Sequence, residues 1–231
     1  MGNVPTNGIV LYRDEHIIAV LTGLTRPSNN LKTGDMLQVW ILCQENDPVT
    51  ARRNGKDKYI CGDCPLSGHG CYVTVFQAPQ QIWKKYKAQP VEDVPERLRT
   101  AIRIGAYGDV AFLPPALVAT LTSKQKHTSY THQWLTGPDM SSHSMASIDT
   151  LTANRLGITS AKLKQSAQAK GYRTYRMLGK GEALEKDEIY CPNFTHGTQC
   201  RDCMLCNGNA KGNLANIATP AKGTRAYPAL A

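Results

Sequence analysis

The sequence predicts an α/β fold, either a partial or irregular βα barrel or an open, mostly parallel sheet, with cysteine-rich metal-binding loops. Three observations lead to this prediction. From residue 102 onward, short β-branched runs alternate with helical patterns, which is typical of βα units and of a parallel sheet. Only four or five such units fit, so a closed eight-stranded barrel is not expected. Seven of the eight cysteines fall in two tight groups, at 61–71 and 191–206.

The N-terminal half is expected to contribute strands and two short helices. The apolar runs HIIAVLTGL (16–24) and MLQVWILC (36–43) predict strands, since both are rich in β-branched and large apolar residues. Residues 71–87 begin β-branched and end in a helical pattern. The segment VPERLRTA (94–101) predicts a short helix, because Pro95 suits a first helical turn.

In the C-terminal half, two helices are expected between strands. LPPALVATLTSKQ (113–125) has prolines at its start, and SAKLKQSAQAKG (160–171) has Thr159 or Ser160 as N-cap and Gly171 at its end. The strands of this half are expected at 102–109, 128–134, 144–150, 172–178 and 187–190.

Residues 1–206 are expected to form a single α/β domain that carries both cysteine groups. The tail 207–231 has little periodicity and is expected to wrap the surface or to be disordered. No apolar run reaches the roughly 18 residues that a membrane helix needs. The N-terminus also lacks a basic-then-apolar signal pattern, so we expect no membrane contact and a cytoplasmic location.

The formal net charge of +9 suits contact with a polyanion such as nucleic acid. A solvated surface with a basic bias would account for the same charge. No helix-turn-helix, RNP or zinc-finger spacing is present. A nucleic-acid-binding accessory protein with structural metal sites is therefore the alternative function. The basic residues cluster at 51–58, 83–87, 97–103 and 162–181.

The C-terminal cysteine group lies in CPNFTHGTQCRDCMLC and comprises Cys191, Cys200, Cys203 and Cys206. Grouped cysteines in an intracellular chain favour a metal over disulfides. A CxxCxxC run with a distant Cys-Pro is similar to the ferredoxin arrangement, although the Cys-Pro follows the run in ferredoxins and precedes it here. We therefore expect a [4Fe–4S] cluster, with zinc as the alternative. Four ligands make a closed site, which would be structural or would transfer electrons.

The first group, CGDCPLSGHGC, contributes Cys61, Cys64 and Cys71. Cys43, at the end of a predicted strand, or His69 could be a fourth ligand, which would make a second closed iron–sulfur or zinc site. Cys43 could equally be a buried, unligated thiol. If neither residue binds, one iron of a [4Fe–4S] cluster would be open to a small-molecule substrate. The chain would thus hold one or two clusters.

Three further residues are candidates for catalysis, because each ends a predicted strand, where ligands bind in this fold class. His132 alternates with Tyr130 and Trp134, so the three side chains would share one face of a strand, and the histidine could be an acid–base group or a packing residue. Asp109 and Asp149 could bind a polar ligand or cap the following helices.

The motifs NNLKTGDM, CGDCPL, IRIGAYGD, YTHQW, MASIDT, GYRTYRM and CRDCMLCNG together resemble a group of tailed-bacteriophage proteins named gene product 88. The resemblance covers most of 29–208. It implies a phage-encoded, iron–sulfur-binding protein in the infected bacterial host. The cysteine loop and the βα rhythm are also distantly similar to radical-SAM proteins, although their CxxxCxxC spacing is CxxCx6C here. That similarity implies a redox or radical-type enzyme with one substrate-accessible cluster.

Overall fold

The computed structural model describes residues 7–28, 30–68, 71–179, 181–209 and 215–220. Within these residues, nine strands and eight α-helices are formed. The strands are β1 (Gly8–Arg13), β2 (Ile17–Thr22), β3 (Leu37–Cys43), β4 (Ile102–Tyr107), β5 (His127–Thr131), β6 (Met145–Ile148), β7 (Thr174–Leu178), β8 (Glu188–Tyr190) and β9 (Asn216–Pro220). The helices are α1 (Pro48–Arg53), α2 (Lys58–Cys61), α3 (Ala78–Tyr86), α4 (Pro115–Lys124), α5 (Thr150–Arg155), α6 (Ser160–Ala169), α7 (Pro192–His196) and α8 (Cys200–Cys203).

All nine strands belong to one open sheet in the order β1-β2-β3-β4-β5-β6-β7-β9-β8. The first three strands form an antiparallel meander. Every pairing from β3 onward is parallel. The prediction of an α/β fold with a mostly parallel sheet is confirmed, and of the two predicted architectures the open sheet is the one that is formed.

Local sequence signals place most of these elements. All six residues of β2 are buried, as its unbroken apolar run requires in a sheet covered on both faces. Helix α6 begins where predicted, because the Thr159 side chain accepts a hydrogen bond from the Lys162 backbone N–H at 3.2 Å. Pro115 occupies the first position of α4, where a backbone N–H would have no hydrogen-bond partner within the helix.

The segment predicted as a helix at 94–101 is irregular instead. Its Arg99 side chain donates to the Gly23 carbonyl at 2.7 Å and forms an ion pair with Asp35 at 3.1 Å. These contacts with distant parts of the chain determine the path of the segment and override its helix propensity. The β-branched start of the 71–87 segment also forms no strand.

Residues 216–220 of the C-terminal tail form a strand inside the sheet, next to its edge, and do not wrap the surface as expected for the tail. Strand β9 lies between β7 and β8, and its Ile217 and Ala218 are fully buried. The Asn216 side chain accepts from the Thr174 N–H at 2.7 Å, which fixes the start of the strand. A five-residue strand leaves little periodic signal, so the sequence pattern did not reveal it. Residues 210–214 and 221–231 lie outside the described part of the chain.

Several cations of the basic 162–181 segment are buried inside the fold. Lys164 forms ion pairs with Glu185, Asp187 and Glu188, and Arg176 binds Glu188 through two hydrogen bonds of 2.8 and 2.6 Å. This network ties α6 to β7 and β8, so these cations are not a free basic surface. The longest described helices, α4 and α6, have ten residues each, and no described helix could cross a bilayer.

Candidate functional site

A cavity of about 410 Å³ lies against one face of the parallel part of the sheet. This volume is in the range of sites that bind small molecules. Side chains alternate between the two faces of a strand, and one face of five neighbouring strands supplies most of the strand residues that line the cavity. These residues are Arg103 and Gly105 of β4, Thr128 and Tyr130 of β5, Ser147 of β6, Tyr175 and Met177 of β7, and Thr219 of β9.

A bulge in β4 brings the end of that strand to the cavity. The pairing register with β3 shifts after Ile104, and Gly105 has φ of 80°. Glycine adopts this left-handed backbone without a steric penalty. At this bulge all five residues from Gly105 to Asp109 line the cavity.

The first cysteine group opens on the same cavity, since Cys61, Cys64 and Cys71 all line it. Cys61 ends α2, and the turn that comes after it depends on Gly62, which has φ of 53°. A Cβ atom on Gly62 would lie 2.3 Å from Oε1 of Gln133, whose Nε2 donates to the Cys61 carbonyl at 2.9 Å. The turn therefore packs directly on the 3₁₀ turn that follows β5.

Asp109, His132 and Asp149 also line this cavity, as their positions at strand ends predicted. Asp109 Oδ2 accepts from the His132 backbone N–H at 2.6 Å, and its Oδ1 accepts from the Ala111 N–H. Asp149 caps α5 through Thr152 and lies 3.8 Å from Nδ1 of His132. Both aspartates are thus helix or turn caps that also surround one histidine.

The charges around His132 favour its protonated form. Burial lowers the pKa of His132, but Cys64, Asp109 and Asp149 outweigh burial and raise the pKa to about 9. The side chain is 24% exposed and so remains accessible from the cavity. Burial raises the pKa of Asp109.

The prediction that Tyr130, His132 and Trp134 share one face of a strand is wrong for Trp134. Strand β5 ends at Thr131, whose Oγ1 accepts from the Gln133 N–H at 2.9 Å and starts a 3₁₀ turn. Trp134 is buried in that turn and donates to the Ser147 carbonyl at 3.0 Å. Tyr130 and His132 do line the cavity.

Two thiols of the first cysteine group, Cys61 and Cys71, favour their protonated forms, so a metal bound there would have to displace their protons. Burial raises the pKa of Cys61 well above its ordinary value and also raises that of Cys71, so both thiols would need a nearby positive charge to ionise. Arg52 contacts Cys71 through a hydrogen bond. Within the described residues, Nε of Arg52 and the hydroxyl of Tyr107 are buried without a hydrogen-bond partner. The sulfurs of a metal-bound thiolate group are acceptors that these two donors could bind.

No group of three or more His, Cys, Asp or Glu side chains in the described ranges has the spacing of a formed metal site. Neutral thiols do not attract one another, whereas a metal displaces their protons and draws the ligands together. The chemistry of the donors at the first group therefore fits a metal, and its ligands would close around it on binding.

Cys43 is not at the cavity. Its thiol donates to the Lys56 carbonyl at 3.2 Å inside the hydrophobic core, and burial raises its pKa to about 12. The structure thus places Cys43 among the packed, unligated thiols, and His69 lies outside the described residues. His132 forms a hydrogen bond with Cys64, so its ring nitrogen could bind a metal at this cysteine group. The sequence analysis did not name His132 as a metal ligand.

The second cysteine group surrounds a separate space of about 10 Å³, lined by all four of its cysteines. Three backbone hydrogen bonds hold the group against distant elements, from the Cys191 N–H to Ala218 in β9, from the Cys200 N–H to Lys32, and from Ser129 in β5 to the Cys206 carbonyl. Between Cys203 and Cys206 the chain turns at Met204, which has φ of 52°. A left-handed conformation at a non-glycine residue is a strained feature of the kind found at functional sites.

The sulfurs of this second group act on one another electrostatically. Burial raises the pKa of Cys206 to about 12, and the charges of Cys191, Cys200 and Cys203 contribute to the rise. Tyr130 hydrogen-bonds Cys206. Because Cys200, Thr128 and Tyr130 line both spaces, the two cysteine groups share a wall.

No family model, curated protein or solved structure matches this chain. The similarity to phage gene-product-88 proteins and to radical-SAM barrels stays a prediction. Evidence on the function therefore comes from the fold and from the geometry of the cavity.

Proposed function

We propose that this protein is a phage-encoded iron–sulfur protein, and a redox or radical-type enzyme, in which Cys61, Cys64 and Cys71 bind a [4Fe–4S] cluster. One iron of that cluster would face a small-molecule substrate in the 410 Å³ cavity. The observation that carries the proposal is that three thiols of one loop open on the same substrate-sized cavity as His132 and its two carboxylates.

The residues of the chain would have distinct roles in this site. Arg52 and the Tyr107 hydroxyl would donate to the sulfurs, which lowers the energy of added negative charge. Asp149 would hold a proton on His132, whose imidazolium could then protonate a substrate in the cavity. The half-buried rings of Tyr130 and Tyr175 would help to exclude water from the reacting centre. When bound, the cluster would supply one-electron chemistry.

The second group would bind a closed metal centre through Cys191, Cys200, Cys203 and Cys206. A second [4Fe–4S] cluster is the expectation from the spacing, and a tetrahedral zinc ion is the alternative. The 10 Å³ space is about the size of a single ion, so a zinc ion would need the four thiols to close around it and a cubane cluster would need them to move apart. The shared wall at Cys200 would let a cluster in this site pass electrons toward the cavity.

The alternative of a nucleic-acid-binding accessory protein has less support. Lys164, Arg173 and Arg176, all in the most extended basic segment, are buried and bind carboxylates or carbonyl oxygens. Retention on single-stranded or double-stranded nucleic acid at low salt, falling steeply as salt is added, would favour this alternative instead.

Anaerobic purification with iron, acid-labile sulfide and zinc quantified tests the proposal. We expect a brown protein with about four iron and four sulfide per cluster and a visible absorption that bleaches with dithionite. Replacing Cys61, Cys64 and Cys71 by serine should remove one cluster, while the matched Cys43→Ser variant should retain all metal. A colourless wild-type protein with stoichiometric zinc and no iron would overturn the proposal.

A further inference from the structure

One end of the cavity carries a cation that no described carboxylate neutralises. Arg103, the second residue of β4, lines the cavity and donates from Nη2 to the Tyr72 hydroxyl at 2.5 Å. Among the described residues, no carboxylate pairs with Arg103, and the groups that act on its charge are Tyr72, Tyr130 and Cys200. The guanidinium has five N–H donors, so most of its fork remains available to a ligand.

Lys32 adds a second cation at this end. It lines the cavity, and its charge acts on Cys200. Two hydrogen bonds fix its backbone, one from the Lys32 N–H to the Asn30 side chain at 3.0 Å and one from the Cys200 N–H to the Lys32 carbonyl at 2.8 Å. No carboxylate in the described ranges forms an ion pair with its ammonium group.

Another part of the cavity wall carries charges of both signs. Asp109 and Asp149 lie there beside Cys61 and Cys64, and their oxygens already accept hydrogen bonds from the chain. An anionic group there would meet two carboxylates beside His132, whereas Arg103 and Lys32 form no ion pair with a described carboxylate. Tyr130 and Tyr175, which also line the cavity, pack edge to face with ring centroids 4.7 Å apart and present apolar surface with Met177.

We propose that Arg103 and Lys32 form an anion-binding subsite that selects an organic acid, with a carboxylate or phosphate group on an apolar body, for this cavity. The acid group would bind the Arg103 fork, and the body would lie on the tyrosines with its far end toward Cys64 and His132. Such an anion offsets the cost of placing two cations at the wall of a largely apolar cavity. The claim that the bound acid is a substrate rests on the proposed function, whereas the claim that an anion binds at these two cations does not.

A second explanation of the same cations is that they balance the charge of a metal bound at Cys200. The cavity position of Arg103 and its unused donors favour a ligand, and the two explanations predict different behaviour of one variant. Under the anion proposal, Arg103→Met loses ligand affinity and keeps its metal. Under the charge-balance explanation, Arg103→Met loses metal from the second cysteine group.

The test is isothermal titration calorimetry at low ionic strength with the full chain as purified anaerobically. The probes are phenyl phosphate, benzoate and the neutral analogue benzyl alcohol. At least one anion should bind, with benzyl alcohol roughly 10-fold weaker or more, and Arg103→Met should weaken the anion by roughly 10- to 100-fold. Arg53→Met, which removes an exposed arginine at the end of α1, is the matched control and should bind as wild type does.

Lys32→Met serves as a second variant in case Arg103→Met is unfolded by circular dichroism, and we expect a weaker loss in the same direction. Tighter binding of phenyl phosphate than of benzoate identifies a phosphate as the preferred acid group, and tighter binding of benzoate identifies a carboxylate. Anion binding by a wild-type protein that lacks iron would refute the proposed function while supporting this subsite. Equal binding of benzyl alcohol, or equal behaviour of Arg103→Met and Arg53→Met, would overturn the subsite.

Discussion

The buried ion pair between Arg176 and Glu188 should determine much of the stability of the C-terminal sheet edge. Glu188 accepts from Nε of Arg176 at 2.8 Å and from Nη2 at 2.6 Å, and the side chains of Glu188 and Arg176 are 0% and 3% exposed. Glu188 lies on β8, three residues before Cys191. Substituting Glu188→Gln keeps the size of the side chain and removes its charge, so a buried cation loses its main partner.

Breaking such a pair typically costs about 3–5 kcal/mol. Here Glu182 stays 3.1 Å from Arg176, so we expect the lower value, about 3 kcal/mol. For a chain of this size, that corresponds to a fall of roughly 6–12 °C in the unfolding midpoint. The control is Glu45→Gln, whose exposed pair with Lys56 at 3.0 Å should contribute under about 1 kcal/mol.

The effect should depend on pH in a defined direction. Burial alone would raise the pKa of Glu188, but Arg176 outweighs burial and holds the pKa below its ordinary value. Its contribution is therefore present above the unfolded pKa of about 4.3 and is lost as pH falls through the folded value. Urea unfolding at pH 7 should separate wild type from Glu188→Gln, and the gap should narrow below about pH 4. A Glu188→Gln variant no less stable than Glu45→Gln at pH 7 would show that the pair does not stabilise this edge.

Three further predictions concern the site. Cys61→Ser should lose the iron of one cluster, whereas Cys43→Ser should keep all iron in anaerobic metal analysis; equal metal content in both variants would exclude Cys61 as a ligand. His132→Gln should keep its metal and lose turnover if His132 is a proton donor, while loss of one metal from this variant would show that it is the fourth ligand. Gly62→Ala should destabilise the chain by about 1–3 kcal/mol in urea unfolding, because its φ of 53° and the 2.3 Å contact with Gln133 oppose a Cβ atom; wild-type stability would contradict the turn described at Cys61.

The sequence pattern was sufficient for the elements whose signals are local. The β-branched runs of β2 and β3 and the Thr159 cap of α6 each depend on a few neighbouring residues. The gathering of Asp109, His132 and Asp149 was also predictable, because parallel strands end at one edge of a sheet. The helix expected at 94–101 failed because contacts with residues far along the chain decided its path.

Other parts of the site depend on contacts that no local pattern carries. Lys32 reaches the cavity because its carbonyl accepts from Cys200, far along the chain. Arg103 lies on a strand whose first residues alternate between buried and half-buried, but only the sheet topology shows which face of β4 lines the cavity. Cys43 ends its strand as predicted and still lies outside the site, since the Lys56 carbonyl binds its thiol within the core.

The electron paramagnetic resonance spectrum of the anaerobically purified, dithionite-reduced protein tests most directly whether a cluster at the 61–71 loop is open to the cavity. We predict a reduced-cluster signal whose g values shift when cyanide, a small ligand for an open iron, is added, and whose shifting component is missing in Cys64→Ser. An open cluster at this loop would be contradicted by a protein without any iron–sulfur signal. It would also be contradicted by a signal whose g values do not change with cyanide and which is still present in Cys64→Ser.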